Sequence, residues 1–190
     1  ELAATTATEK SSCKKLAASK TNATTTKTVT TTTSPAPAAS AGTSAAAREA
    51  LLREQYPKCK DDITAAWLGA LLGGADVADF ELKLLETGVV SDACIVSLRY
   101  GAASEPGARS PASIVLKYSK ADELTRSAAV EANMYEKELE FYSDETMYSE
   151  VSKVLALPEV VGVFKDPTTT EFFCIALEDL NHGYAVLDQA

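Results

Sequence analysis

The segment from Ala112 to Tyr142 joins a predicted apolar strand to a predicted amphipathic helix. The strand carries Lys117, and the helix carries Glu138 on its apolar face. Residues 112–118 are rich in β-branched and aliphatic side chains, which predicts a strand. Side chains alternate along a strand, so Ser113, Val115 and Lys117 share one face. The opposite face carries Ile114, Leu116 and Tyr118.

The apolar spacing predicts a helix over residues 126–142. At about 100° per residue, Glu138 falls in the middle of an apolar arc, and Glu131 shares this arc nearer the helix start. A buried carboxylate is costly unless it meets a cation, so we predict a buried or half-buried ion pair between Glu138 and Lys117. The alternatives are a solvated strand-end lysine and a glutamate that extends to the rim. The arc consists of Val130, Met134, Tyr135, Leu139, Phe141 and Tyr142.

The alternation of apolar and polar residues predicts four further strands. With residues 112–118 they give a sheet of five strands, and the predicted helix crosses between the third and the fourth. A second amphipathic piece, residues 146–155, follows this helix. The expected fold class is therefore α+β. The four strands are residues 80–85, 94–100, 160–164 and 172–177.

Two helices are expected before the sheet. The first covers residues 44–56 and is ended by Pro57. The second is capped by Asp61 or Asp62, because an aspartate side chain accepts hydrogen bonds from the first helical amides. Gly73 and Gly74 close it, and its buried stripe is Ile63, Trp67, Ala70 and Leu71.

Three motifs occur in a fixed order: Val115-Leu116-Lys117, then Glu138-Leu139-Glu140-Phe141-Tyr142, then Leu177-Glu178-Asp179-Leu180. A strand lysine paired with a helix glutamate is the ion pair that kinases use to hold nucleotide phosphates. The ordered set resembles the aminoglycoside phosphotransferase and choline kinase-like (CHK) families, especially their ecdysteroid kinase-like branch. The resemblance covers about residues 61–190 and implies the amino-terminal lobe of a protein-kinase-like fold.

The resemblance also implies a site for ATP with Mg²⁺. Val115, Lys117 and Glu138 would belong to it, together with a hairpin loop that covers the phosphates and a hinge that meets the adenine through backbone groups. Without the resemblance, the loop is an ordinary turn with a single glycine, and the hinge is an acidic strand end that leads into a loop. The loop residues are Gly88, Ser91 and Asp92, and the hinge groups lie near Glu178 and Leu180.

Phosphoryl transfer also needs an aspartate for the acceptor hydroxyl and a second one for magnesium. In the resembling families both lie in the carboxyl-terminal lobe, in a His-Gly-Asp segment and beyond it. Here His182-Gly183 is followed by Tyr184 instead of an aspartate, so we interpret this partial match to the His-Gly-Asp segment as coincidental. We expect the general base and the metal ligands beyond Ala190, and the chain to be a fragment that is inactive alone.

Two hypotheses from different classes follow. The first is a phosphotransferase that acts on an alcohol group of a small hydroxylated molecule. The second is a non-catalytic half-kinase that serves as a binding or scaffold module. The inward charges favour the first hypothesis, because a module without chemistry has no need of a costly ion pair. In the resembling families the acceptor pocket is built mainly by the carboxyl-terminal lobe.

The amino-acid composition differs between the first 43 residues and the rest of the chain. Residues 1–43 are rich in Thr, Ala, Ser and Lys with almost no large apolar residue, which predicts a disordered tail or linker. Residues 44–75 are the expected amino-terminal helices, 76–180 the kinase-like lobe and 181–190 the start of a linker. The net charge of −9 is concentrated after residue 48, and an acidic folded part argues against nucleic acid as a partner.

The compartment is expected to be cytoplasmic, although the Ser/Thr-rich, acid-poor tail also suits an organelle transit peptide. The four cysteines are scattered without a C-x-x-C pair, so a metal site is not expected, and Cys94 and Cys174 should be buried thiols in a reducing setting. The longest apolar run, near residues 65–75, is too short to span a bilayer, so we expect a soluble protein without a membrane partner.

Overall fold

The structure is a computed structural model that describes residues 44–85, 88–105 and 107–182. The expected tail, residues 1–43, and all but the start of the expected linker, residues 181–190, lie outside the described residues. In chain order the helices and strands are α1 (Ala45–Glu54), α2 (Ala65–Leu71), β1 (Val77–Leu85), β2 (Ser91–Tyr100), β3 (Ser113–Ser119), α3 (Glu123–Glu131), α4 (Met134–Ser143), α5 (Glu145–Ser152), β4 (Val160–Lys165) and β5 (Phe173–Glu178).

The five strands form one antiparallel sheet in the order β1-β2-β3-β5-β4. β3 is therefore the central strand, and α3, α4 and α5 lie between it and β4 in the chain. The prediction of five strands with a helical crossing between the third and the fourth is confirmed. The fold is a mixed α+β fold in which the central strand presents one row of side chains to each face.

One face of the sheet packs on α2. Trp67 and Leu68 of this helix are at most 1% exposed and lie in the same cluster as Leu116 of the central strand. α2 ends as predicted, at Gly73 and Gly74, whose positive φ angles of 77° and 93° are easy only for glycine. The rest of the main core comes mostly from α2, β1, β2, β3 and β5, and it includes Ile114, Tyr118, Val96, Leu98 and Ala176.

The predicted cap of α2 is wrong. Asp62 accepts hydrogen bonds from the amides of Lys58 and Cys59, at 3.0 and 3.1 Å, and so closes the turn that precedes the helix. Thr64 takes the capping position instead, and its hydroxyl accepts the amide of Trp67 at 3.2 Å. A side chain caps the amides two or three residues ahead of it, and α2 starts too late for Asp61 or Asp62 to do so.

The opposite face of the sheet packs on α4. Tyr135 and Leu139 are at most 1% exposed and lie against Phe173, Ile175 and Leu177 of β5. The rings of Tyr135 and Phe173 meet edge to face, with 4.9 Å between their centroids. This second core holds α4 beneath the central strand and its neighbour β5.

The predicted helix over residues 126–142 is two helices. Asn133 has a left-handed φ of 53°, which ends α3 and begins α4, and asparagine tolerates this conformation better than most residues. The break resets the helical phase. Met134, which the uninterrupted arc buries, is therefore 49% exposed, while Tyr135 and Leu139 are buried as the arc predicts.

Cys94 and Cys174 are buried free thiols, as predicted, and burial raises the pKa of Cys94 to about 11. The unfolded thiol ionises near pH 9 and the folded one only near pH 11, so stability should fall as the pH rises through this window. We expect the stability of the wild type to fall by about 2–3 kcal/mol more than that of Cys94→Ala between pH 8 and pH 11. Urea unfolding at each pH measures this, and identical pH profiles for the two proteins would contradict it.

Candidate functional site

Lys117 of β3 and Glu138 of α4 form an ion pair in which the lysine Nζ donates to the glutamate Oε1. The side chains are 29% and 21% exposed, so the pair is half-buried. The predicted ion pair is confirmed, and the solvated lysine and rim glutamate are not found. Because partial desolvation offsets much of the attraction, such a pair contributes little net stability.

A row of apolar side chains crosses the sheet beside this pair. Val115 lies in register with Ile95 on β2 and with Leu177 on β5. Ile95 and Val115 are half-buried, whereas Leu177 is 7% exposed. Ile95 and Val115 form a shallow apolar surface beside Lys117, whereas Leu177 belongs to the core under α4. Sequence reasoning did not include Ile95 in the site: strand alternation gave its face, but only the register puts it beside Val115.

This face of the sheet is open beyond the apolar row. Lys83 on β1 and Ser97 on β2, which point to the same side as Ile95, are exposed. The residues of α4 cover β3, β4 and β5 instead. The site is therefore an apolar and cationic surface of half of the sheet, bounded by α4 on one side.

The loop between β1 and β2 lies at the end of the sheet near Lys117, and Gly88, Val89 and Val90 of it are described. The carbonyl of Gly88 accepts the Lys120 Nζ at 2.9 Å, and the carbonyl of Val90 accepts the Tyr135 hydroxyl at 2.5 Å. A Cβ on Gly88 would lie 2.0 Å from the carbonyl oxygen of Ser91, so the turn accepts only glycine here. The contact of Gly88 with phosphate stays a prediction.

Ser91 and Asp92 follow the loop and face the protein. Ser91 is 4% exposed and pairs with Ser119 of β3. The Asp92 carboxylate binds the Lys120 Nζ at 2.7 Å and accepts the amide of Ala121 at 3.0 Å. Asp92 therefore holds Lys120 and the turn after β3. Lys120 was missed in the sequence because it lies just past the strand end, where alternation no longer predicts direction.

The segment after β5 is fixed to the start of β3. Asp179, 8% exposed, accepts the Ser113 hydroxyl at 2.7 Å. The Glu178 amide donates to the carbonyl of Glu159 at 2.9 Å, so this donor is used within the sheet. A short 3₁₀ turn begins at Leu180, and the amide of Asn181 within it donates to the Asp179 carboxylate at 3.0 Å. The contacts of Glu178 and Leu180 with adenine stay predictions.

The part of the chain that the structure describes holds no group of three or more His, Cys, Asp or Glu side chains that could bind a metal ion. The described side chains therefore do not fit Mg²⁺ without further ligands. None of the described helices has the length and apolar character needed to cross a membrane.

Comparison with protein-family models finds no match to this chain, and comparison with curated proteins finds none either.

Proposed function

We propose that this chain is the nucleotide-binding lobe of an ATP-dependent phosphotransferase whose acceptor is a small hydroxylated molecule. The observation that carries the proposal is the half-buried Lys117–Glu138 pair between the central strand and α4. A kinase-like amino-terminal lobe combines a five-stranded antiparallel sheet, a helix that follows the third strand and this ion pair. The observed strand order and helix position support such a lobe.

The chemistry of the surface fits the parts of a nucleotide. The Lys117 ammonium, oriented by Glu138, can neutralise phosphate oxygens in a partly desolvated place, where a charge interaction is stronger than in water. The half-buried side chains of Ile95 and Val115 offer one apolar wall for a purine ring. Positioning and charge stabilisation are the main tasks in phosphoryl transfer, and this surface can serve both.

The proposal assigns the general base and the magnesium ligands to a further segment of the protein. The described residues contain no cluster for magnesium, and phosphoryl transfer requires aspartates for the metal and the acceptor. The chain alone should therefore bind ATP weakly, because one wall of the adenine pocket is missing, and it should transfer no phosphate.

The proposal predicts that Lys117→Ala weakens ATP binding to the chain by about 10- to 100-fold, since a hydrogen bond to a charged group is lost. Titration of a fluorescent ATP analogue measures this. The control is Lys153→Ala on α5, because Lys153 also pairs with a glutamate, Glu150 at 2.5 Å, but both are well exposed. This control should bind ATP as the wild type does.

Either of two results would contradict the proposed function. One is a wild-type chain that shows no saturable binding of ATP. The other is Lys117→Ala with unchanged affinity. The non-catalytic binding or scaffold module would then replace the enzyme hypothesis.

A further inference from the structure

Tyr135 connects α4 to the loop between β1 and β2. Its ring is fully buried against Phe173, and its hydroxyl emerges from this core to donate to the Val90 carbonyl at 2.5 Å. The same oxygen accepts the amide of Lys120 at 3.3 Å. Tyr135 precedes Glu138 by three residues, so the two side chains lie on one face of α4, a turn apart. One rigid helix thus contacts both the loop and the lysine of the central strand.

Lys120 holds the loop at a second point. Its ammonium binds the Gly88 carbonyl at 2.9 Å and the Asp92 carboxylate at 2.7 Å. The Lys120 and Asp92 side chains are 26% and 30% exposed, so this cluster is half-buried like the Lys117–Glu138 pair. Asp92 is itself fixed by the amide of Ala121 at 3.0 Å. Lys120 and Tyr135 therefore bind two carbonyl groups of the loop, those of Gly88 and Val90.

Binding these carbonyls determines where the loop can donate. A trans peptide is planar, with its C=O and N–H groups pointing in opposite directions. When the Gly88 carbonyl faces Lys120, the Val89 amide N–H therefore faces away from Lys120. Carbonyl oxygens repel phosphate and amide N–H groups attract it. A loop released from Lys120 and Tyr135 could turn either group towards a bound anion.

We infer that Tyr135 and Lys120 are positioning residues that hold residues 88–90 in one conformation suited to a polyphosphate, and that α4 couples this loop to the Lys117–Glu138 pair. The inference rests on the proposed function, whose phosphate site it describes in more detail. It assigns the two residues to recognition of the phosphates and gives them no part in binding the nucleoside. Their loss should therefore affect ATP and leave adenosine binding unchanged.

The test uses Tyr135→Phe, which removes the hydroxyl and keeps the ring against Phe173. The matched control is Tyr100→Phe, because the Tyr100 hydroxyl also donates to a backbone carbonyl, that of Pro111 at 2.7 Å, away from the loop. Two quantities are measured in the chain: the NMR order parameters of the Gly88–Val90 amides without ligand, and the affinities for ATP and adenosine. Lys120→Met is the second variant, and Lys120→Arg tests rescue by a retained cation.

We expect Tyr135→Phe to lower the order parameters of the loop amides from about 0.85 to below about 0.6, and Tyr100→Phe to leave them unchanged. ATP affinity should fall roughly tenfold in Tyr135→Phe and in Lys120→Met, with adenosine affinity constant. Lys120→Arg should recover most of the ATP affinity.

Results that contradict the inference differ from results that contradict the proposed function. Unchanged loop order parameters in both Tyr135→Phe and Lys120→Met would overturn the inference, whatever the wild type binds. An equal loss of ATP and adenosine affinity would also overturn it, because that is the mark of a general structural role. If the order parameters of the loop amides fall in the variants but the wild type binds no ATP, the proposed nucleotide site is wrong. The role of Tyr135 and Lys120 in phosphate recognition is then wrong as well.

Discussion

Lys117→Ala should lower phosphoryl transfer by the complete gene product by at least about 10³-fold, the loss typical when a group that stabilises transition-state charge is removed. The lysine is the cation that Glu138 orients towards the proposed phosphate site. The measurement is transfer from Mg-ATP to a panel of small alcohols, with the melting temperature recorded for each variant. Lys153→Ala, in the exposed pair of α5, should retain wild-type activity.

Glu138→Gln should have a smaller effect on the same assay. The glutamine amide oxygen can still accept a hydrogen bond from Lys117, although the charge is lost. A Glu138→Gln rate as low as that of Lys117→Ala would show that the carboxylate does more than orient the lysine. Wild-type activity in Lys117→Ala, or a complete gene product that is inert towards the whole panel and gains no thermal stability with Mg-ATP, would contradict the enzyme hypothesis.

Trp67→Ala should lower the free energy of unfolding by about 3–5 kcal/mol, the largest stability loss expected from a single substitution in this chain. Trp67 is 1% exposed between α2 and the sheet, and its ring meets that of Phe164 with 5.4 Å between centroids. Alanine leaves a cavity that the neighbouring strands cannot fill. Because Trp67 is the only tryptophan, urea unfolding has to be followed by far-UV circular dichroism.

Trp67→Phe separates packing from hydrogen bonding. The Trp67 Nε1 is buried and has no hydrogen-bond partner among the described residues, so phenylalanine removes an unsatisfied donor as well as part of the ring. We expect a loss below about 1.5 kcal/mol for this variant. Val154→Ala, at a residue 80% exposed, should change stability by less than about 0.5 kcal/mol. A loss well above about 1.5 kcal/mol for Trp67→Phe would contradict an unsatisfied Nε1, because it would indicate that a hydrogen bond is lost too.

The local patterns of the sequence determined the strands of this fold and the direction of their side chains. Alternation along residues 112–118 separated Leu116 from Lys117 correctly, because side-chain direction in a strand depends only on the backbone period of two. The same rule put Ile95 and Val96 on opposite faces. The costly position of Glu138 within an apolar arc was also enough to predict its partner, since a charge on such a face requires a cation within reach.

Only the tertiary structure decided how the site is assembled. The left-handed Asn133 changed the phase of α4 and exposed Met134, and one asparagine among helix-forming neighbours does not predict such a break. Strand register put Ile95 beside Val115. Alternation predicts which face a side chain occupies, but it does not predict which residue of the neighbouring strand lies opposite. Lys120 joined the loop because Gly88 and Asp92, about thirty residues earlier, fold against the end of β3. Such contacts between distant segments depend on how the whole sheet closes, and no local pattern encodes them.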